Sequence, residues 1–182
     1  MRYLVTAAHD QTIRVWEMQT GRLLRTIRPP FDEGLERMHR TVAISPDGRV
    51  IATTQESSLY IFDRERGELV RRIRGLEATR LVYSPDGRFL AVLLEKRLRI
   101  VNTNDYSVAD EDQEYDGQVR DADFGPKNLI VSAATDFLQG ITLLHTYDIQ
   151  QHDLRAGKTG RDVTPVESHP FPLDQVGVSF NF

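Results

Sequence analysis

The chain has 182 residues, 40% of them apolar and 27% charged, with no cysteine and a net charge of −4. That length supports one hydrophobic core and scarcely two. The composition excludes a disulfide scaffold and a thiol nucleophile, and no window approaches the roughly 18 apolar residues of a membrane-spanning helix. The opening MRYLVTAAHDQ lacks the apolar core of a signal peptide, so a cytosolic protein is expected. Charge is uneven: residues 1–100 hold 18 Lys/Arg against 13 Asp/Glu, and residues 101–182 hold 5 against 14. The arginines fall singly along alternating segments, without the stripe and interleaved aromatics of a nucleic-acid surface.

In chain order, residues 1–28 form the first unit, and within it VWEMQTGRLLRTIR (15–28) aligns without a gap on IFDRERGELVRRIR (61–74). The second unit, 40–74, reads as four strands: Thr41–Ser45, Val50–Thr54, Leu59–Asp63 and Glu68–Ile73, here lettered a to d. The third unit, 78–111, repeats the phrase SPDGRVIA (45–52) as SPDGRFLA (84–91), a period of 39. The fourth, 118–166, is looser, with its d strand near Arg161–Val166, and QVGVSF places a last a strand at Gln175–Asn181. The residue closing strand a recurs as Ile44, Tyr83, Phe124 and Phe180. Alternating or β-branched runs, separated by Asp-Gly, Thr-Gly and Arg-Gly turns and without helical periodicity, predict an all-β domain over 1–182. Four strands per repeat make one propeller blade.

The segment LVTAAHDQTIRVWE, from Leu4 to Glu17, resembles the b-turn-c segment of the WD-repeat (WD40) β-propeller family, with Trp16-Glu17 standing where that family has Trp-Asp. RLLRTIRPP is similar to repeats of bacterial members. The resemblance implies a hydrogen-bonded tetrad bracing each blade, and it places Thr6, Asp10 and Trp16 in three of its roles in the first unit. Ser132, Asp136 and Tyr147 take those roles in the fourth. In the second unit Phe62 replaces the Trp and Gly34-Leu35 stands where Gly-His is usual. In the third Val101 replaces the Trp and Val92 the serine, so apolar packing is expected to hold these blades. Trp16 is expected to be buried, with Thr6 and Asp10 near its indole edge, and its replacement by alanine to cost about 3 to 5 kcal/mol.

Family members act as rigid platforms for peptides and protein domains on the face made by b-c turns and d-a loops. The resemblance therefore implies a non-catalytic protein-interaction scaffold, with no cofactor. Ile27 to Ile44 spans 17 residues where Ile73 to Tyr83 spans 10. This seven-residue insertion offers Arg28, Phe31, Arg37, Met38 and His39 as partner-contacting candidates, aromatics and arginines being prominent at interfaces. Phe31 could equally fold down over the blade edge. A second insertion, Phe137–Thr142, lengthens the fourth b-c turn.

Catalytic and metal signals are weak. GKT at 157–159 ends like a phosphate-binding loop, but His152 stands where the first glycine is needed. DQEYDGQVRDAD (112–123) spaces Asp112, Glu114, Asp116, Gly117 and Asp123 like a calcium loop, yet Arg120 sits among the ligands and neither flank is helical. The five histidines lack zinc spacing, and no GxSxG elbow occurs. Asp10, Glu56, Glu95 or Lys96, and Asp136 fall at equivalent b-c positions, which leaves a cation or an active site in a central channel as the alternative. Met1 aligns opposite Gly87 and Phe180 opposite Tyr83, so the strands sum to about four blades. The expected arrangement closes the chain on itself, with residues 175–181 beside Leu4–Ala8. The rival is an open piece of a larger propeller, without independent function or self-associating through its ends.

Overall fold

A computed structural model describes residues 2–8, 10–29, 39–55, 57–112, 118–124, 129–136, 141–148 and 171–172. The first sheet contains β1 (Tyr3–Ala7), β2 (Ile13–Glu17) and β3 (Leu23–Ile27). The second contains β4 (His39–Ile44), β5 (Val50–Gln55), β6 (Ser58–Asp63) and β7 (Leu69–Arg74). The third contains β8 (Arg80–Tyr83), β9 (Phe89–Leu94), β10 (Arg97–Asn102) and β11 (Val108–Asp112). The fourth contains β12 (Gln118–Phe124), β13 (Leu129–Asp136), β14 (Ile141–Asp148) and β15 (Phe171–Pro172). Each sheet is an antiparallel meander in which chain neighbours pair. No helix occurs among the described residues.

Two turn types repeat because the same residues recur in them. In the a-b turn, the Ser45 hydroxyl donates to Asp47 at 2.6 Å and accepts from the Val50 amide at 3.0 Å, while the Arg49 amide donates to Asp47 at 3.0 Å. Ser84, Asp86, Arg88 and Phe89 repeat that network in the third sheet. The c-d turns close through Gly21 and Gly67, whose amides donate to the carbonyls four residues back. The third sheet has Tyr106 at this place, and it holds the left-handed φ of 58° that glycine would take freely. Its ring packs among the core residues between the second and third sheets, close to the Arg71 guanidinium.

Sheets stack face to face, with one core layer in each gap. Ile13, Val15, Ile44, Ile51 and Phe62 fill the first gap. Ala52, Leu59, Ile61, Leu90 and Val92 fill the second, and Phe89, Ala91, Leu93, Leu98, Ile100 and Val119 the third. Strand β9 is buried along its whole length, since its alternate residues face two different gaps. That explains why FLAVLL reads as a continuous apolar run. The arrangement is all-β with four-stranded antiparallel sheets in the second to fourth blades, as expected from the period.

The stacking follows chain order: β1 lies against β4, β4 against β8, and β8 and β9 against β12. Among the described residues no comparable packing returns from β12 to β1. The outer strand of the fourth sheet is β15, paired through Phe171 and Pro172 with Thr142 and Ile141. The expected d strand at Arg161–Val166 and the terminal strand at Gln175–Asn181 lie outside the described residues.

Turn carboxylates also make the stability pH-dependent. The Ser45 hydroxyl, then the Arg49 amide, hold the Asp47 carboxyl below the ordinary aspartate range. The hydroxyl and amide of Ser107 do the same for Asp105. A depressed folded-state pKa contributes stability above the unfolded value, near pH 4, that is lost as pH falls through the folded value. The urea midpoint should therefore drop between pH 6 and pH 3, and drop less in Asp47→Asn; an identical fall in both would separate this carboxylate from acid sensitivity.

Candidate functional site

The b-c turns and d-a links of the second and third sheets gather at one end of the stack. They border a cleft of about 730 Å³. Ser57 comes from the β5-β6 turn, Gly75, Glu77 and Thr79 from the β7-β8 link, Glu95 and Lys96 from the β9-β10 turn, and Gln118 and Arg120 from the start of β12. Backbone bonds fix this rim: Gly75 and Leu76 donate to the Ser57 carbonyl at 2.6 and 3.0 Å, and Val119 donates to the Glu95 carbonyl at 2.9 Å. Two acids of the rim are engaged from within, Glu77 by the Ser57 hydroxyl and Glu95 by the Gln118 amide at 3.0 Å. Arg97 reaches sideways to Glu111 at 3.2 Å. Lys96 stands exposed at the turn tip. The result is a rigid polar rim whose acids are satisfied and whose lysine projects outward, a surface suited to contacting another protein.

The residues that the repeat pattern singled out are distributed unevenly. The Trp16 indole donates to the Thr6 hydroxyl at 3.0 Å. Asp10 turns instead to the Thr12 hydroxyl at 2.6 Å, the Thr12 amide at 3.1 Å and the Arg14 guanidinium. Thr12 first, with help from Arg14, holds its carboxyl low. Asp10 thus closes its own b-c turn, and the expectation that it would reach the indole edge is corrected by this local bonding. Trp16 is half-buried rather than buried, because it lies near the end of β2 and its sheet has a stacking neighbour described on one side. The loss expected for Trp16→Ala shrinks accordingly.

In the fourth sheet, Tyr147 pairs with Ile130 and Ser132 with His145, the register that Trp16 and Thr6 hold opposite Leu4 and Arg14. Asp136 opposes Ile141 at the hairpin end. Nothing in the repeat pattern had marked Thr53, which the register puts in the place of Thr6. Its buried hydroxyl donates to the Thr41 carbonyl at 2.8 Å, tying strand b to strand a where no indole is present. Val92 and Val101 hold the third sheet by packing alone at these positions.

Of the insertion candidates, Arg28 is exposed and His39 opens β4, while Phe31, Arg37 and Met38 lie outside the described residues. The link between β3 and β4 leaves the first sheet at the same end as the cleft, because β7-β8 is the corresponding link. Residues 137–140 of the second insertion and 113–117 of the calcium-like loop lie outside the described residues, as does GKT, while Ile141 and Thr142 begin β14, Asp112 ends β11 and residues 118–123 belong to β12. Among the described residues, no group of three or more His, Asp and Glu side chains is placed to hold a metal. No helix among them is long and apolar enough to cross a membrane.

The family model for "WD domain, G-beta repeat" matches residues 1–17, the stretch that carries Thr6 and Trp16. Residues 1–17 thus match one WD repeat. A curated relative, "Target of rapamycin complex subunit LST8-1" of Arabidopsis thaliana, is 40% identical over 60 residues, which is 33% of this chain and 18% of the relative. Among solved structures, the hydrazine synthase of Kuenenia stuttgartiensis superposes with a TM-score of 0.70 at 14% identity, over 82% of this chain and 44% of its own. U3-55K gives 0.67 at 18% identity, over 82% and 46%. At these identities the likeness shows the propeller fold alone. The chain spans less than half the length of either structure.

Proposed function

We propose that this WD-repeat chain is a non-catalytic, cytosolic interaction scaffold that grips a protein partner on the face formed by its b-c turns and d-a links. The observation carrying this reading is the cleft bordered by Ser57, Glu77, Glu95, Lys96 and Arg120, whose rim is fixed by backbone bonds and therefore loses little entropy on binding. The Arg28–His39 insertion joins β3 to β4 as the cleft-lining link joins β7 to β8, and would supply Phe31, Arg37 and Met38 as anchors. The name of the Arabidopsis relative describes a subunit of a complex, in keeping with a scaffold.

Partners captured from the native cytosol should be lost when Arg28–His39 is trimmed to the length of Gly75–Ala78. Lys96→Glu should weaken a purified partner tenfold or more, about 1.4 kcal/mol. Asn104→Lys, in the c-d turn at the opposite end of the sheet, should leave binding unchanged. Retention of all partners by both the trimmed chain and Lys96→Glu would overturn this assignment.

A further inference from the structure

The gap between the second and third sheets opens into a cavity of about 500 Å³ at the a-b and c-d turn end of the stack, away from the partner face. Pro46, Asp47 and Val50 of the second sheet line it on one side, and Tyr83, Thr103 and Tyr106 of the third on the other. Local bonds hold these walls. The Thr103 hydroxyl donates to the Gly87 carbonyl at 2.6 Å, the Tyr106 amide to the Asn102 carbonyl at 2.8 Å, and the Ser45 hydroxyl closes the turn that carries Asp47. A fixed cavity of this size, walled by rings and aliphatic groups with a few polar ones between them, suits a small organic molecule.

The third unit departs from the repeat at two of these places. Strands β4, β8 and β12 end in Ile44, Tyr83 and Phe124, and of the three only Tyr83 brings a hydroxyl. That hydroxyl is buried and has no hydrogen-bond partner among the described residues, an unfavourable state that phenylalanine would avoid. Tyr106 stands where the first two sheets have Gly21 and Gly67, and its ring packs into the same gap. Burial first, then Tyr106 and Asp47, hold the Tyr83 phenol well above the ordinary tyrosine range, so it stays protonated and neutral at pH 7. Both of those neighbours line the cavity, as Tyr83 itself does, which puts the hydroxyl on its wall.

Charge selects the ligand. Oδ1 of Asp47 accepts from the Ser45 hydroxyl and the Arg49 amide, while Oδ2 lies 3.8 Å from the Arg49 guanidinium, beyond hydrogen-bond length and with that side chain 83% exposed. Asp86, the other carboxylate at the cavity, is engaged at both oxygens by Ser84 and Arg88. Arg71 lies 5.8 Å from the centroid of the Tyr106 ring but does not line the cavity. An anion would meet two carboxylates here, and a wholly apolar molecule would leave the Tyr83 hydroxyl and Asp47 Oδ2 unmatched. We infer that this cavity binds a small organic molecule carrying a primary ammonium group on an apolar stem. The ammonium donates to Tyr83 Oη and Asp47 Oδ2, and the stem lies along Pro46, Val50 and the Tyr106 ring. The site is separate from the partner face and does not depend on it.

The test titrates the full chain with 1-aminopentane in a calorimeter at pH 7, with 1-pentanol as the uncharged control of the same shape. Saturable binding of the amine at about 1 mM or tighter is expected, with the alcohol bound at least about tenfold more weakly. Tyr83→Phe should weaken the amine about tenfold or more and yet raise the urea midpoint, because it deletes a buried group that has no partner in the protein. Asp47→Asn should weaken the amine as well. Equal affinities for amine and alcohol, an amine affinity unchanged in Tyr83→Phe, or no saturable binding of the amine up to about 10 mM would each overturn the site. The alcohol control and Asp47→Asn keep the test decisive whether or not Tyr83→Phe folds.

Discussion

Phe62→Ala is expected to lose about 3 to 5 kcal/mol, several times the loss of Trp16→Phe, although Trp16 occupies the position for which the repeat is named. Phe62 is 1% exposed and lies in the gap between the first and second sheets with Ile13, Ile44 and Ile51. Its removal leaves a cavity in the layer between the two sheets, which cannot collapse without shifting one against the other. Trp16→Phe retains an aromatic ring at a half-buried position and deletes one indole N–H to Thr6, a bond worth about 0.5 to 1.5 kcal/mol. The single tryptophan also serves as a local reporter of the first sheet. If Phe62 couples the first two sheets, the Trp16 fluorescence transition of Phe62→Ala in urea should precede the far-UV circular dichroism transition. The two should coincide in the unmodified protein. Equal losses in Phe62→Ala and Trp16→Phe would show that the tetrad, rather than the packed gaps, holds the blades.

The period of 39 residues made the strands legible because each repeat couples a burial pattern to a turn whose chemistry is local. Ser45, Asp47 and Gly48 bond one another within six residues, so the a-b turn could be read without knowing the neighbouring blade. Strands β4 to β7 fall within two residues of the expected bounds at every end. What depended on other blades was not legible. Thr53 escaped notice because five residues separate β1 from β2 and two separate β5 from β6. An ungapped alignment from Trp16 and Phe62 consequently puts Ala52 opposite Thr6, while the ladder puts Thr53 there. Tyr106 stands where the pattern wants glycine, and only its packing between two sheets explains why a left-handed tyrosine is kept. The cleft rim, too, is assembled from four separate segments. Its only mark in the sequence was that those segments are b-c turns and d-a links.

Contacts between blades make the second large effect position-specific. Gly21 and Gly48 both have left-handed backbones, at φ 68° and 72°, so alanine costs about 1 to 2 kcal/mol in strain at either place. Around Gly21 there is open space. At Gly48 a Cβ would lie 2.8 Å from Cδ2 of Tyr3, a ring that reaches over from the first sheet and packs against the Arg64 guanidinium 4.2 Å from its centroid. Arg64 is itself anchored by donating to the Gly48 carbonyl, so the ring, the cation and the turn move together or not at all. Gly48→Ala should therefore lose about 1 to 3 kcal/mol more than Gly21→Ala, the usual range for overpacking. The excess belongs to the Tyr3 contact and should vanish in a Tyr3→Ala background, where only the backbone strain remains. Chemical denaturation of the four proteins in that double-mutant cycle, with Gly21→Ala alongside, measures it. A Gly48→Ala loss that matches Gly21→Ala, or that is unchanged by removing Tyr3, would mean that the first sheet is not seated on the second through this turn.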